Sequence, residues 1–320
     1  MKKIVSFALV LVLVLAAFAF VACETKENND NKDDNKNNTP AEKTYDLAIG
    51  VVVAPSLTSN KLTETVATIV TDADGKIVLC KVDCIDYSAK YGEDGALVTT
   101  APASKVTLGD NYKMPKGSWA AQVEALEKFV VGKTQAEVAT AVALGTDGKT
   151  TDADLKAGCT FNISDLVKAI DNAFKSEHKV SFTSKATSFT AGLSAVGAVK
   201  DSSADESKNV TLTANYAAAV LADGKVVAAI LDTAEAQLVG VTEEGAASVS
   251  FAGTKREQGD AYAMTSGAWY VQADAYAKSA VGKTASDIAT LATEGVAGCT
   301  MPYSTYDFKA GIEAAVKAAK

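Results

Sequence analysis

Two short stretches combine a carboxylate, a glycine, a thiol and a hydroxyl just ahead of a predicted helix. They are Asp154-Leu-Lys-Ala157-Gly158-Cys159-Thr160 and Glu294-Gly-Val-Ala297-Gly298-Cys299-Thr300. A glycine lets backbone amides approach a ligand closely, and a helix N-terminus adds unpaired N–H donors and partial positive charge. Such a turn suits a phosphate group in an otherwise acidic chain. The same residues are poor material for hydrolysis. His178 is the one histidine in 320 residues, so Cys159 or Cys299 would have to share it as base, and it cannot serve both equivalently. With a single imidazole, most zinc sites are excluded as well.

Other motifs dissolve on inspection. Gly-Lys-Thr occurs at 132–134 and 282–284, but a phosphate loop needs a glycine five positions before the Gly-Lys pair, where Glu127 and Ala277 stand. Instead, Gly132 and Gly282 are expected to end one helix in a left-handed conformation. Thr134 with Glu137, and Thr284 with Asp287, are expected to start the next as capping boxes. Asp72-Ala-Asp-Gly75 has no glutamate in the twelfth position of a calcium loop and reads as a turn. A net charge of −8 argues against nucleic acid, whose binders need clustered Lys and Arg.

The elements that must position the two threonine turns follow from patterning. Alternation predicts strands over 47–54, 64–71 and 76–87, and again over 189–199, 209–220 and 225–233, with Asp-Gly hairpin turns at 74–75 and 223–224. Further strands are expected near 96–106 and 246–251. Helical composition follows over 118–131 and 268–281, and helices are expected at 164–174 and 304–319. Strands precede helices, so the fold class is α+β. Cys80 and Cys84 fall on one side of a strand about 13 Å apart, too far to bridge, and read as small buried hydrophobes, with a bridge to a distant partner left open.

The body is written twice. Gly109-Asp-Asn-Tyr112-Lys-Met114 recurs as Gly259-Asp-Ala-Tyr262-Ala-Met264. Gly117-Ser-Trp119 recurs as Gly267-Ala-Trp269 and Val131-Gly-Lys-Thr134 as Val281-Gly-Lys-Thr284, all at one offset of 150 residues. The offset falls to 140 at Ala157-Gly-Cys-Thr160, implying a surface insertion at 144–151. The expectation is two tandem homologous repeats, 45–177 and 186–320, each a small antiparallel sheet followed by two or three helices, joined by a linker at 178–185. A pseudo-twofold pairing of such repeats would bring Cys159 and Cys299 together.

An acidic-x-x-small-Gly-small-Thr motif, followed by an Ala-rich helix and preceded by an Asp-Gly-Lys hairpin, resembles the extracytoplasmic FMN-binding domain family. The usual family pattern is Asp-x-x-(Ser/Thr)-Gly-Ala-(Ser/Thr). Here Ala157 and Ala297 replace a hydroxyl residue, Cys159 and Cys299 replace alanine, and Glu294 replaces Asp. The resemblance implies FMN carried covalently as a phosphoester on Thr160 and Thr300, made by a flavin transferase. Gly158, Gly298, Asp154 and Glu294 would complete each site, and Tyr112, Trp119, Tyr262 and Trp269, with Met114 and Met264, would supply a flat wall for the ring. It further implies an electron carrier, served by membrane electron donors and passing electrons by proximity of two flavins, rather than an enzyme with its own substrate. In the competing reading the repeats form a ligand-binding or structural module without flavin, and the Ala-Gly-Cys-Thr turn only starts a helix, threonine being a good N-cap.

The N-terminus sets the expected address. Met1-Lys2-Lys3, an uncharged apolar stretch from Ile4 to Val21, and Ala22-Cys23 follow the plan of a secretory signal. Phe20-Val21-Ala22-Cys23 resembles a lipobox, which implies a signal peptide at 1–22 and lipidation of Cys23. The alternative is a membrane-spanning anchor of about 18 residues. Residues 23–44, rich in Asn, Asp, Lys and Glu, read as a disordered polar tether. Both readings place the body at the extracytoplasmic face of the cell membrane.

Overall fold

A computed structural model describes residues 40–99, 102–203, 208–301 and 306–320. The expected signal peptide, Cys23 and the tether up to residue 39 lie outside the described residues. The rest is one compact unit. Its first long strands are β1 (Lys43–Ser56), β2 (Lys61–Asp72) and β3 (Ile77–Tyr91), followed by the short β4 (Leu97–Thr99). A one-turn helix α1 (Lys105–Leu108) and a two-residue hairpin, β5 (Lys113–Met114) with β6 (Gly117–Ser118), lead into four helices. These are α2 (Trp119–Val130), α3 (Gln135–Val142), α4 (Ala153–Gly158) and α5 (Ser164–Lys175).

The chain then re-enters the first sheet as β7 (Val180–Ser184) before the second sheet begins. That sheet contains β8 (Thr190–Asp201), β9 (Val210–Ala222), β10 (Lys225–Val241) and β11 (Ala246–Ser250). The hairpin β12 (Ala263–Met264) with β13 (Gly267–Ala268) leads into α6 (Trp269–Lys278), α7 (Ala285–Ile288) and α8 (Phe308–Ala318). The fold is α+β, with every strand pair antiparallel.

Sheet orders are β4-β3-β2-β1-β7 and β11-β10-β9-β8. The long strands carry near-continuous apolar runs whose side chains point alternately to opposite faces, so both faces of both sheets are apolar, which is what produces layers. Leu47, Ile49 and Val51 of β1, and Leu62, Val66 and Val70 of β2, face one core shared with Leu212, Ala214, Tyr216 and Ala218 of β9 and Ile230 of β10. The opposite side of the first sheet, including Ala48, Ala67, Ile69 and Val82, packs on α2 to α5. Ala217, Ala219, Leu231 and their neighbours pack on α6 and α8. The result is four layers: helices, sheet, sheet, helices. Two glycines let the outer helices lie directly on the strands. A Cβ at Gly50 would fall 2.2 Å from the backbone of α5, and one at Gly192 would meet the backbone of α8.

Several expectations are corrected. The span 178–185 is not a free linker, because β7 pairs with β1 from Leu47↔Val180 to Lys43↔Ser184, covering an otherwise open edge, with Phe182 stacked on Tyr45. The strand expected over 96–106 stops at Thr99, and Ser104 caps α1 instead. The insertion at 144–151 does lie at the surface, as a bridged turn anchored by buried Gly148 and Thr150, with the Gly148 carbonyl accepting the N–H of Ile163. Cys159 and Cys299 do not meet. They are buried in the two separate helix-covered cores, with both sheets between them. Cys80 and Cys84 are buried, as expected. Both capping boxes are present, and Gly132 and Gly282 have φ of 79° and 81°.

The inter-sheet core contains one misfit. Glu64 is fully buried there, its Oε2 accepting a 2.6 Å hydrogen bond from the Tyr216 hydroxyl of the opposite sheet and its Oε1 having no partner. Burial raises this carboxyl from an ordinary 4.5 to about 8, against the smaller lowering effect of the Tyr216 bond. The folded chain therefore keeps a proton that the unfolded chain has released. Stability from this group is complete below about pH 4.5 and is lost as pH rises to about 8. Buried Asp83 and Asp232, raised to about 6, act with the same sign in a lower window, from 3.8 to about 6. Glu64→Gln should therefore flatten the fall in urea midpoint between about pH 4.5 and 8 while leaving the slope below pH 4.5 unchanged. An unaltered slope in that window would show that Glu64 does not titrate there.

Candidate functional site

Both threonine turns are held by the same device. The Thr160 N–H and Oγ1 each donate to Oε1 of Gln122 on α2, at 2.9 Å, and the Thr300 N–H and Oγ1 donate to Oε1 of Gln272 on α6, at 3.0 and 2.9 Å. Both glutamines are buried, at 2% and 1% exposure, whereas Thr160 is half-buried and Thr300 exposed. The preceding residues complete the seat. Cys159 and Cys299 plug into the helix-covered cores, and Gly158 and Gly298 lie against Ala125 of α2 and Ala275 of α6, where an added Cβ would come within 2.7 and 3.0 Å. Close approach to a helix thus calls for both glycines, and Gly298, at φ 83°, also needs one for its left-handed backbone. Asp154 and Glu294 are exposed, and it is Asp152 that caps α4 by accepting from the N–H groups of Asp154 and Leu155.

Thr160 does not start a helix. The residue preceding α5 is Ile163, and Asn162 Oδ1 takes up the Ser164 N–H. In the second half, residues 302–305, which include the expected helix start at Ser304, lie outside the described residues, and α8 begins at Phe308.

Of the aromatic residues, Trp119 and Trp269 belong to the cores, at 3% and 0% exposure, and form no open wall. Tyr112 and Tyr262 are half-buried at the start of the small hairpins, their carbonyls accepting the N–H of Trp119 and Trp269 at 3.3 and 3.2 Å. Met114 and Met264 are likewise half-buried.

Beside each tyrosine stands a lysine that sequence reasoning missed. Lys105 Nζ lies 5.0 Å from the centre of the Tyr112 ring and 3.0 Å from Asp86 Oδ2. Lys255 Nζ lies 4.7 Å from the centre of the Tyr262 ring and 3.1 Å from Glu235 Oε1, and donates to the hydroxyls of Tyr262 and Tyr306. Burial disfavours the charge on Lys105, but Cys84 and Asp86 outweigh it and raise its pKa. For Lys255 the two tyrosine hydroxyls and Glu235 do the same against burial. Both lysines are therefore charged at neutral pH.

A buried aspartate fixes the strand-to-loop corner that carries each lysine. Asp83 Oδ1 accepts the N–H of Cys84 and Val106, at 2.7 and 3.1 Å, and Oδ2 accepts the Ser104 hydroxyl. Asp232 Oδ1 accepts the N–H of Thr233 and Arg256, at 2.7 and 3.1 Å, and the carboxylate also accepts the Thr254 hydroxyl. These residues lie at the offsets that relate the other landmarks: Asp83 to Asp232, Ser104-Lys105 to Thr254-Lys255, and Gln122 to Gln272. Extending that comparison beyond glycines and aromatics would have found them.

Compared with known proteins, the chain matches no family model, no curated protein and no solved structure. No group of three or more metal-ligating side chains occurs among the described residues, and no described helix is long and apolar enough to cross a membrane. Four of the surface cavities formed by the described residues, of about 220 to 790 Å³, are lined by neither Thr160 nor Thr300. Chemically, each turn offers a hydroxyl near solvent with its backbone locked from beneath.

The glycine seat makes a direct prediction. Gly158→Ala should destabilise the protein by ~1–3 kcal/mol through overpacking against Ala125. Ala125→Gly should recover part of that loss in a double-mutant cycle of denaturant midpoints. Additive effects would mean that the close approach does not set the glycine requirement.

Proposed function

We propose that this is a membrane-tethered extracytoplasmic protein built from two homologous FMN-binding-like repeats, 45–177 and 186–320, that carries flavin phosphate on Thr160 and Thr300 and passes electrons. The observation that carries the reading is the pair of threonine turns. Two hydroxyls, 140 residues apart in sequence, reach the surface on identical glutamine supports. A phosphoester on Oγ1 would remove the hydroxyl donor but leave the backbone N–H of each threonine on its glutamine, so the turn would survive loading. FMN, once attached, would supply one- and two-electron chemistry, while the chain holds its phosphate and offers Tyr112 and Tyr262 as neighbouring rings. The buried tryptophans take no part in this. A flavin transferase and membrane electron donors are the partners the reading requires, with Cys23 as the lipid anchor and nucleic acid excluded by charge.

A second reading has its own support. Gly158 and Gly298 are spent on packing against Ala125 and Ala275, and the expected tryptophan wall is core. These features suit a lipid-anchored binding or structural module without flavin.

Intact mass and visible spectrum separate the two, using mature protein from a host that co-expresses a flavin transferase. The carrier should gain two FMN increments and flavin absorbance, with Thr160→Ala and Thr300→Ala each removing one increment. A colourless, unmodified protein would leave the module as the account of this chain.

A further inference from the structure

The geometry points to Gln122 and Gln272 as positioning residues that set the reactive orientation of the Thr160 and Thr300 hydroxyls toward a phosphate-bearing donor, an assignment that rests on the carrier reading above. An amide side chain has a donor end and an acceptor end, and here the choice is forced. A backbone N–H can only donate, so the group facing Thr160 N and Thr300 N must be the oxygen. That oxygen also lies within 2.9 Å of each Oγ1, which must then turn its hydrogen inward. The lone pairs of Oγ1 consequently face solvent, the direction from which a donor arrives. The glutamines do this from buried positions on α2 and α6, three residues after Trp119 and Trp269 are set in the cores.

The transfer this would serve balances with a flavin dinucleotide as donor. The Oγ1–P bond forms as the bridging P–O bond breaks, the nucleoside monophosphate leaves with that electron pair, and the threonine proton, released from the glutamine oxygen as the ester forms, passes to solvent. A neutral amide takes no proton in this step; what it supplies is placement of the attacking oxygen. The two supports differ in how they are themselves held. Gln272 Nε2 donates to the Gly267 carbonyl at 3.2 Å, whereas Gln122 Nε2 meets the Met114 sulfur at 3.8 Å.

The test loads full-length protein with a transferase and maps each threonine by peptide mass. Gln122→Leu should cut the initial loading rate at Thr160 at least tenfold while Thr300 in the same molecule loads at the wild-type rate. Gln272→Leu should do the converse. Gln122→Glu keeps an oxygen that accepts both bonds and should restore most of the loading at Thr160. Amide hydrogen exchange at Thr160 and Thr300 reports the N–H bond independently, and each Leu variant should expose its own threonine amide. If the wild type loads and Gln122→Leu loads Thr160 equally well, with that amide exposed, positioning is refuted and the carrier reading stands. If loading falls at both threonines together, tracking global stability, positioning is likewise refuted. A wild type that takes no flavin at either threonine overturns both.

Discussion

The face-to-face burial of two antiparallel sheets governs the rest of this molecule, because each sheet is apolar on both faces and cannot stand alone in water. One face of each is satisfied by the other sheet and the second by a layer of helices. Strand residues of alternating parity therefore report to different cores. A bulge between Val226 and Ala228 in β10 changes that parity, so Val226 joins the helix-covered core while Ala228 joins the inter-sheet core. Alanine-rich strands and the glycines at 50 and 192 keep the layers thin, so that helices rest on backbone where side chains would hold them off.

On this frame the polar groups are few and each has work to do. Asp83 and Asp232 are costly to bury, yet each gathers two backbone N–H groups and a hydroxyl that would otherwise be orphaned at the corner before the small hairpin. Gln122 and Gln272 play the same part for the threonine turns. Glu127, which stands where a phosphate loop would need glycine, accepts the N–H of Val82 at 2.8 Å and pairs with Lys81 at 3.2 Å, tying α2 to β3. Glu64, half-satisfied in the middle of the sandwich, is an exception, as are Asn60 Oδ1 and Trp269 Nε1, which are buried without a partner.

Much of the fold was legible because its signals are local. Period-2 runs, Asp-Gly turns, capping boxes and the left-handed glycines at helix ends are each read within a few residues, and they located the long strands and α2, α5 and α6. Long-range constraints were not legible. Val180–Ser184 looks like a joint until the open edge of β1 supplies a partner, and nothing local distinguishes a tryptophan that lines a cleft from one that fills a core. The threonine turns were found as motifs, but the reason for their glycines was misread: the contact is with a helix one turn of sequence cannot reveal. The glutamines and aspartates escaped notice because polar residues at strand and helix positions ordinarily face solvent, and only their recurrence at a fixed offset marks them.

The four-layer arrangement also fixes a direction. Gln122 with Thr160 belongs to the helices over one sheet, and Gln272 with Thr300 to the helices over the other, so the two turns sit on outer layers separated by the full thickness of a double sheet. Sheets stack about 10 Å apart, and each helix layer adds about as much again. Groups mounted there would lie on opposite flanks of the body and would not form a stacked pair within one site.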